Sequence, residues 1–159
     1  MSFQQFQRTA NSGLKFGLFM MMKLPSAFFC GVRLRSLTPQ QAVVSVPFKW
    51  LSQNPFRSIY FACQAMAAEM STGVLALGHL HGRQPAVSML VTSLQASFVK
   101  KATERVYFTC DDGEAMLAAI EKAVATGEGQ TFTARSIGKT ASGDVVSEFR
   151  VEWSFKAKR

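Results

Sequence analysis

Between Ile59 and Met70 every side chain is small or apolar except Gln64 and Glu69. The stretch reads as a helix over Ser58–Ser71, and a helix that is apolar on every face has to be covered on every side. An antiparallel sheet curled around one buried helix meets that demand. A chain of 159 residues is long enough to bury most of its apolar surface around a single core. No repeat, low-complexity tract or linker divides it, so residues 1–159 are expected to form one α+β domain.

Glu69 is the anomaly in this setting. Burying an unpaired carboxylate costs several kcal/mol, so it has to be partnered, protonated or turned toward a cavity. It is also the first acid in the chain: residues 1–68 hold seven Lys or Arg and no Asp or Glu, whereas residues 69–159 hold eleven and ten. The net charge of +8 therefore resides almost wholly in the first half. That suits an anionic partner such as a phosphorylated cofactor, an acidic carrier protein, nucleic acid or a membrane surface, and it equally suits plain solubility. Nucleic acid is disfavoured, because only two Tyr and no basic–aromatic motif support it.

Cys30, Cys63 and Cys110 are far apart among apolar neighbours, the pattern of reduced, packed thiols in a cytoplasmic protein. His79 and His81, in GHLHG, supply two ligands at most; the segment reads as a turn from helix to strand, and no metal site is expected. KFGLFMMMKLPSAFFC has the basic flank and downstream cysteine of a lipoprotein signal. Lys23 and Pro25 interrupt its apolar run, however, and Phe28 and Phe29 precede Cys30 where small residues are needed. No uninterrupted run reaches the ~20 residues of a membrane span. Residues 3–22 are expected to form a helix that docks on or caps the domain, within an N-terminal helical extension of residues 1–26.

Strand signals fill most of the remainder. Val32 and Leu34 alternate with Arg33 and Arg35, and Val44, Val46 and Phe48 flank Ser45. Leu94, Ala96 and Phe98 alternate with Ser93, Gln95 and Ser97, and Val106, Phe108 and Cys110 with Arg105, Tyr107 and Thr109. The longest case sets Phe149, Val151, Trp153, Phe155 and Ala157 against Glu148, Arg150, Glu152, Ser154 and Lys156. Period-two alternation of this kind predicts antiparallel strands with one covered and one wet face. A second helix is predicted in DDGEAMLAAIEKAVATGEG, with Asp at its start, Met116, Ile120 and Val124 on one face, and Gly127 as its stop. The predicted order is helix, two strands, buried helix, two strands, helix, two strands.

The segment leading into the buried helix carries a motif. In hotdog-fold thioesterases it typically reads N-x-x-G-[ST]-x-H-G-G, with an Asp or Glu further along the helix. Asn54, Arg57, Ser58, Tyr60, Phe61 and Ala62 fill those positions in order, and Glu69 falls on the acidic one. Downstream, SLQASFVKKATERVYFTCDDGEA is similar to the strand pair of a branch of that superfamily that replaces the His by Tyr and adds an N-terminal helix. The chain thus resembles the hotdog thioesterase superfamily over nearly its whole length.

The resemblance implies a hotdog fold and hydrolysis of an acyl thioester of coenzyme A, with coenzyme A entering as part of the substrate and no separate cofactor. It puts Glu69, Phe61, Tyr60 and Asn54 at the catalytic positions. Glu69 would act as nucleophile or as general base for water, and the Phe61 N–H, a free donor if Ser58 caps the helix, would polarise the carbonyl. Arg57, Ser58, Lys100, Lys101 and Arg105 are the candidates for binding the cofactor portion, with Lys49 a weaker one. Ser71 and Thr72 are the hydroxyls available to hold a water.

Phe61 and Glu69 are eight residues apart, roughly 12 Å along a helix, so one carbonyl cannot touch both within one chain. Two antiparallel copies solve this, and a homodimer is expected, with a dimer of dimers left open. Tyr60 in place of His and the loss of the motif glycines keep a second reading alive, a non-catalytic binder of acyl groups, acyl-CoA or an acyl carrier protein. A hotdog dehydratase is disfavoured, since its catalytic His is absent at Tyr60.

Overall fold

The computed structural model describes residues 3–158. The element order is that expected: α1 (Phe3–Ala10), α2 (Gly13–Lys23), α3 (Pro25–Cys30), β1 (Arg33–Leu37), β2 (Ala42–Val46), a 3-10 turn at Trp50–Ser52, α4 (Phe61–Leu80), β3 (Val87–Phe98), β4 (Val106–Cys110), α5 (Gly113–Thr126), β5 (Gln130–Lys139) and β6 (Val145–Ala157). The six strands form one sheet, ordered β1-β2-β4-β5-β6-β3, with every neighbouring pair antiparallel. It wraps around α4, which packs against β2, β4, β5 and β6, and α1, α3 and α5 also contact the helix.

The helix expected over residues 3–22 is broken into pieces, for local reasons. Asn11 spends its side-chain amide on β1, donating to Leu37 O (3.0 Å) and accepting from Leu37 N (2.9 Å). Such a side chain competes with helix continuation, and α2 restarts after Ser12. At Leu24 the following Pro25 disfavours helical geometry; Leu24 adopts φ −135°, ψ 57°, and a third helix runs on to Cys30.

The buried helix is also longer than Ser58–Ser71: it starts at Phe61 and continues to Leu80. Ser71 and Thr72 do not stop it, because their hydroxyls donate back to Ala68 O (2.7 Å) and Glu69 O (2.9 Å) within the helix. His79 therefore lies in the last helical turn, and the turn out of the helix comes at His81–Gly82, where Gly82 has φ 73°.

β6 has the expected alternation, with Phe149, Val151, Trp153 and Phe155 buried. β3 behaves differently. Its apolar positions run 87, 89, 91 and then 94, 96, 98, a phase slip that the sheet absorbs with a bulge between Val91 and Ser93. Val91 therefore faces Trp153, Leu94 faces Val151 and Ala96 faces Phe149, all on the face that carries α4. Yet Leu94 (44%) and Phe98 (48%) remain exposed. β3 is an edge strand of the sheet, and the helix does not reach over it.

Candidate active site

The approach to α4 is a tight loop organised by Asn54. Its Oδ1 accepts from Phe56 N (3.0 Å), Ser58 N (3.2 Å) and the Ser58 hydroxyl (3.2 Å), and Asn54 N donates to Ser58 O (2.9 Å). Arg57, at the tip, has φ 57°, a left-handed geometry that explains why glycine suits this motif position. The loop is anchored by Ile59 N to Ala102 O (2.8 Å) and Tyr60 N to Ser52 O (2.8 Å).

The side chain of Ser58 is thus used within the loop and does not cap the helix; the residue at the N-cap is Tyr60. The first amides bonded into the helix are Cys63 and Gln64, both to Tyr60 O (2.9 and 3.2 Å). This leaves the N–H groups of Phe61 and Ala62 without an acceptor among the described residues, at the positive end of a 20-residue helix. Phe61 lines a cavity of about 580 Å³ together with Asn54, Ser58, Tyr60, Phe98, Lys100 and Lys101. Gln64, the other polar residue of the apolar stretch, closes the cavity floor. It donates to Ile59 O (3.3 Å) and accepts from the Ser147 hydroxyl (2.8 Å).

Glu69 lies elsewhere, on a separate cavity of about 240 Å³ between α2 and α4, with Phe16, Met70, Val74, Met89 and Trp153. Its carboxyl has no hydrogen-bond or ion-pair partner among the described residues; Lys23 borders the same cavity without pairing to it. Burial among these apolar groups holds the carboxyl above the ordinary glutamate range. One turn on, Gly73 keeps the wall low: a Cβ there would come 3.2 Å from the Trp153 ring and 3.3 Å from Glu69 Oε1. The candidate water-holding hydroxyls are occupied. Thr72 Oγ1 accepts from Trp153 Nε1 (2.9 Å), and Ser71 Oγ lies 2.8 Å from Ser136 Oγ on the other side of the helix.

Of the residues singled out in the sequence, Asn54, Ser58, Tyr60, Phe61, Lys100 and Lys101 share the cavity at the helix start. Lys100 is already paired with Asp144, and Lys101 lies 3.5 Å from Phe56 O. Arg57 and Arg105 are exposed outside the cavity lining, and Glu69 is in the second cavity. His79 donates from Nε2 to Pro39 O (2.9 Å), and its burial lowers its pKa. Among the described residues no group of three or more His, Cys, Asp or Glu is placed to hold a metal ion.

Sequence reading missed the wall that α2 builds beside Glu69. It also missed the approach of Cys30 to Cys63, whose sulfurs lie 3.7 Å apart. Phe16 and Met20 at helical spacing were the available signal for the first; no local signal announces the second.

An antiparallel sheet wrapped around one long, largely buried helix is the hotdog fold. The chain belongs to the family described as "Domain of unknown function (DUF4442)", whose model matches residues 14–155. No curated protein matches it. Solved structures of the same fold include a Pseudomonas aeruginosa protein of unknown function called a probable thioesterase. It is 16% identical over 99% of this chain and 97% of its own, with a TM-score of 0.74. A mutant thioesterase from the same organism is 12% identical over 91% of this chain and 94% of its own, TM-score 0.69. A Haemophilus influenzae thioesterase is 10% identical over 92% and 91%, TM-score 0.66. At these identities the likeness concerns the fold.

Proposed function

We propose that this protein hydrolyses acyl thioesters of coenzyme A as a homodimer with two composite sites. The observation that carries the reading is Glu69: an unpaired, desolvated carboxyl on a cavity wall, with its basicity raised. Such a group is costly to keep and is suited to general-base work. It would take a proton from water as that water attacks the thioester carbonyl. The oxyanion would rest on the Phe61 N–H, and collapse would expel the coenzyme A thiolate, which takes up the proton, leaving a carboxylic acid.

Two features favour supplying donor and base from different copies. The two cavities lie on separate stretches of α4, and β3 is an unpaired edge strand with exposed Leu94 and Phe98. Antiparallel pairing of β3 with its twin about its midpoint would set Phe98, at the helix-start cavity, opposite the twin's Val87, two residues from Met89 at the Glu69 cavity. The helix-start cavity, rimmed by Lys100 and Lys101, then suits the pantetheine arm and phosphates.

The test is complementation. Glu69→Gln removes the base while keeping the shape. Phe61→Pro removes the amide at the first helical position, where proline is tolerated, and Tyr60 already has the extended φ −59°, ψ 134° that precedes a proline comfortably. Each variant alone should lose at least about a hundredfold in hydrolysis. Refolded together, random pairing should restore about a quarter of parental activity, because half the dimers carry one intact site of two. No restoration would remove the composite site. The non-catalytic reading is favoured by the engaged hydroxyls of Ser71 and Thr72. Acyl-CoA binding without turnover by the parent protein would establish it.

A further inference from the structure

The cavity beside Glu69 is built by the N-terminal helix as much as by the sheet. Phe16 and Phe19 of α2 face Val74 and Leu77 of α4 across it, and Trp153 with Met89 forms the sheet side. Among the described residues its ionisable lining groups are Glu69 and Lys23. A nucleotide or pantetheine arm would find almost no polar partner there, whereas an alkyl chain would find apolar contact on every side. Phe16 and Val74 are buried at 8% and 2% exposure, while Phe19 (40%) and Leu77 (41%) mark a rim open to solvent. The cavity therefore has a deep section beside Glu69 and an open far end.

We infer that this cavity is the acyl-tail site, that it takes an alkyl chain of medium length, and that α2 is the wall that sets that length. The assignment rests on the hydrolase reading for its chemistry, because the reacting carbonyl must sit at Glu69. The volume of about 240 Å³ holds about eight methylene-sized groups at the ~30 Å³ that a water takes in the liquid. Each methylene entering the cavity strengthens binding about fourfold; those beyond the rim at Phe19 and Leu77 add little. Gly73 belongs to the same design, since any side chain there would press on both Trp153 and Glu69.

The experiment follows binding, independently of turnover. Trp153 lines the cavity and the chain has one other tryptophan, the 80% exposed Trp50. In a Trp50→Phe background the full chain is titrated with primary alcohols from butanol to dodecanol, followed by Trp153 fluorescence. Alcohols are chosen because a fatty-acid carboxylate would be repelled by Glu69. Affinity should rise about fourfold per methylene and level off near eight carbons. Val74→Phe, which fills the deep section, should move the plateau two to three carbons shorter. Phe19→Ala, on the exposed wall and so harmless to the core, should weaken octanol binding about tenfold. An affinity independent of chain length, no Trp153 response to any alcohol, or a plateau unmoved by Val74→Phe together with octanol binding unchanged by Phe19→Ala overturns the assignment. If the alcohols bind as expected but no acyl-CoA is hydrolysed, the cavity assignment stands and the hydrolase reading falls. If acyl-CoA is hydrolysed without regard to chain length, the reverse holds.

Discussion

Trp153 donates its indole N–H to Thr72 Oγ1 over 2.9 Å, and Thr72 in turn donates to Glu69 O at 2.9 Å. The pair ties β6 to the middle of α4 and fixes the indole as one wall of the Glu69 cavity. Thr72→Val keeps the volume but leaves a buried N–H without an acceptor, a loss of about 1–3 kcal/mol. Urea unfolding should register that loss, and Thr72→Ser, which keeps the hydroxyl, should recover most of it.

Glu69 predicts a trade-off between stability and activity. Desolvation raises its folded-state pKa, so its contribution favours the fold below the unfolded value of ~4.3 and is lost as pH rises through the folded value. Above that range the ionised carboxylate is a net cost. Glu69→Gln should therefore raise the melting temperature at neutral pH, with the gain vanishing near pH ~4. Thermal melts across that range check the sign. In the parent, hydrolysis should fall on the acid side with a midpoint above ~4.3, because the base must be ionised. A shift of that midpoint in Lys23→Met would report the one cation on the same cavity.

Arg57 holds a left-handed φ of 57° at the tip of the Asn54 loop. Its side chain lies outside the helix-start cavity, so the position's main demand is on the backbone. Arg57→Gly should stabilise the fold by about 1 kcal/mol, the usual cost of that geometry for a residue with a Cβ. Chemical denaturation measures it. Coenzyme A binding measured in parallel asks whether the guanidinium reaches the phosphates after all.

Lys100 and Lys101 border the same cavity but differ in availability, since Lys100 is held by Asp144 at the surface. Lys101→Ala should weaken coenzyme A about threefold to fivefold, an effect that shrinks in high salt, and should leave a pantetheine thioester unchanged. Isothermal titration with the two ligands separates the outcomes. Equal effects on both would take Lys101 out of phosphate binding.

The strand alternation of β4 and β6, the amphipathic α5 between Asp112 and Gly127, and the enclosure of an all-apolar helix were legible in the chain. Each follows from a period of two or 3.6 residues, which neighbours in sequence define by themselves. The motif from Asn54 to Ala62, with Glu69 beyond it, also marked the approach to the buried helix and its acid, although the helix begins at Phe61 and not at Ser58.

Element ends were less legible. Asn11 breaks a helix because Leu37 lies beside it, and Ser71 does not break one because its hydroxyl bonds back to Ala68. The sequence also could not say that α2 would roof Glu69, or that Cys30 and Cys63, 33 residues apart, would bring their sulfurs to 3.7 Å. Nor could it say that Leu94 and Phe98 would keep the right face yet stay uncovered. Those relations join residues that no periodicity links. They depend on which strand lies at the edge of the sheet and where the N-terminal helices come to rest, and only the packed chain decides both.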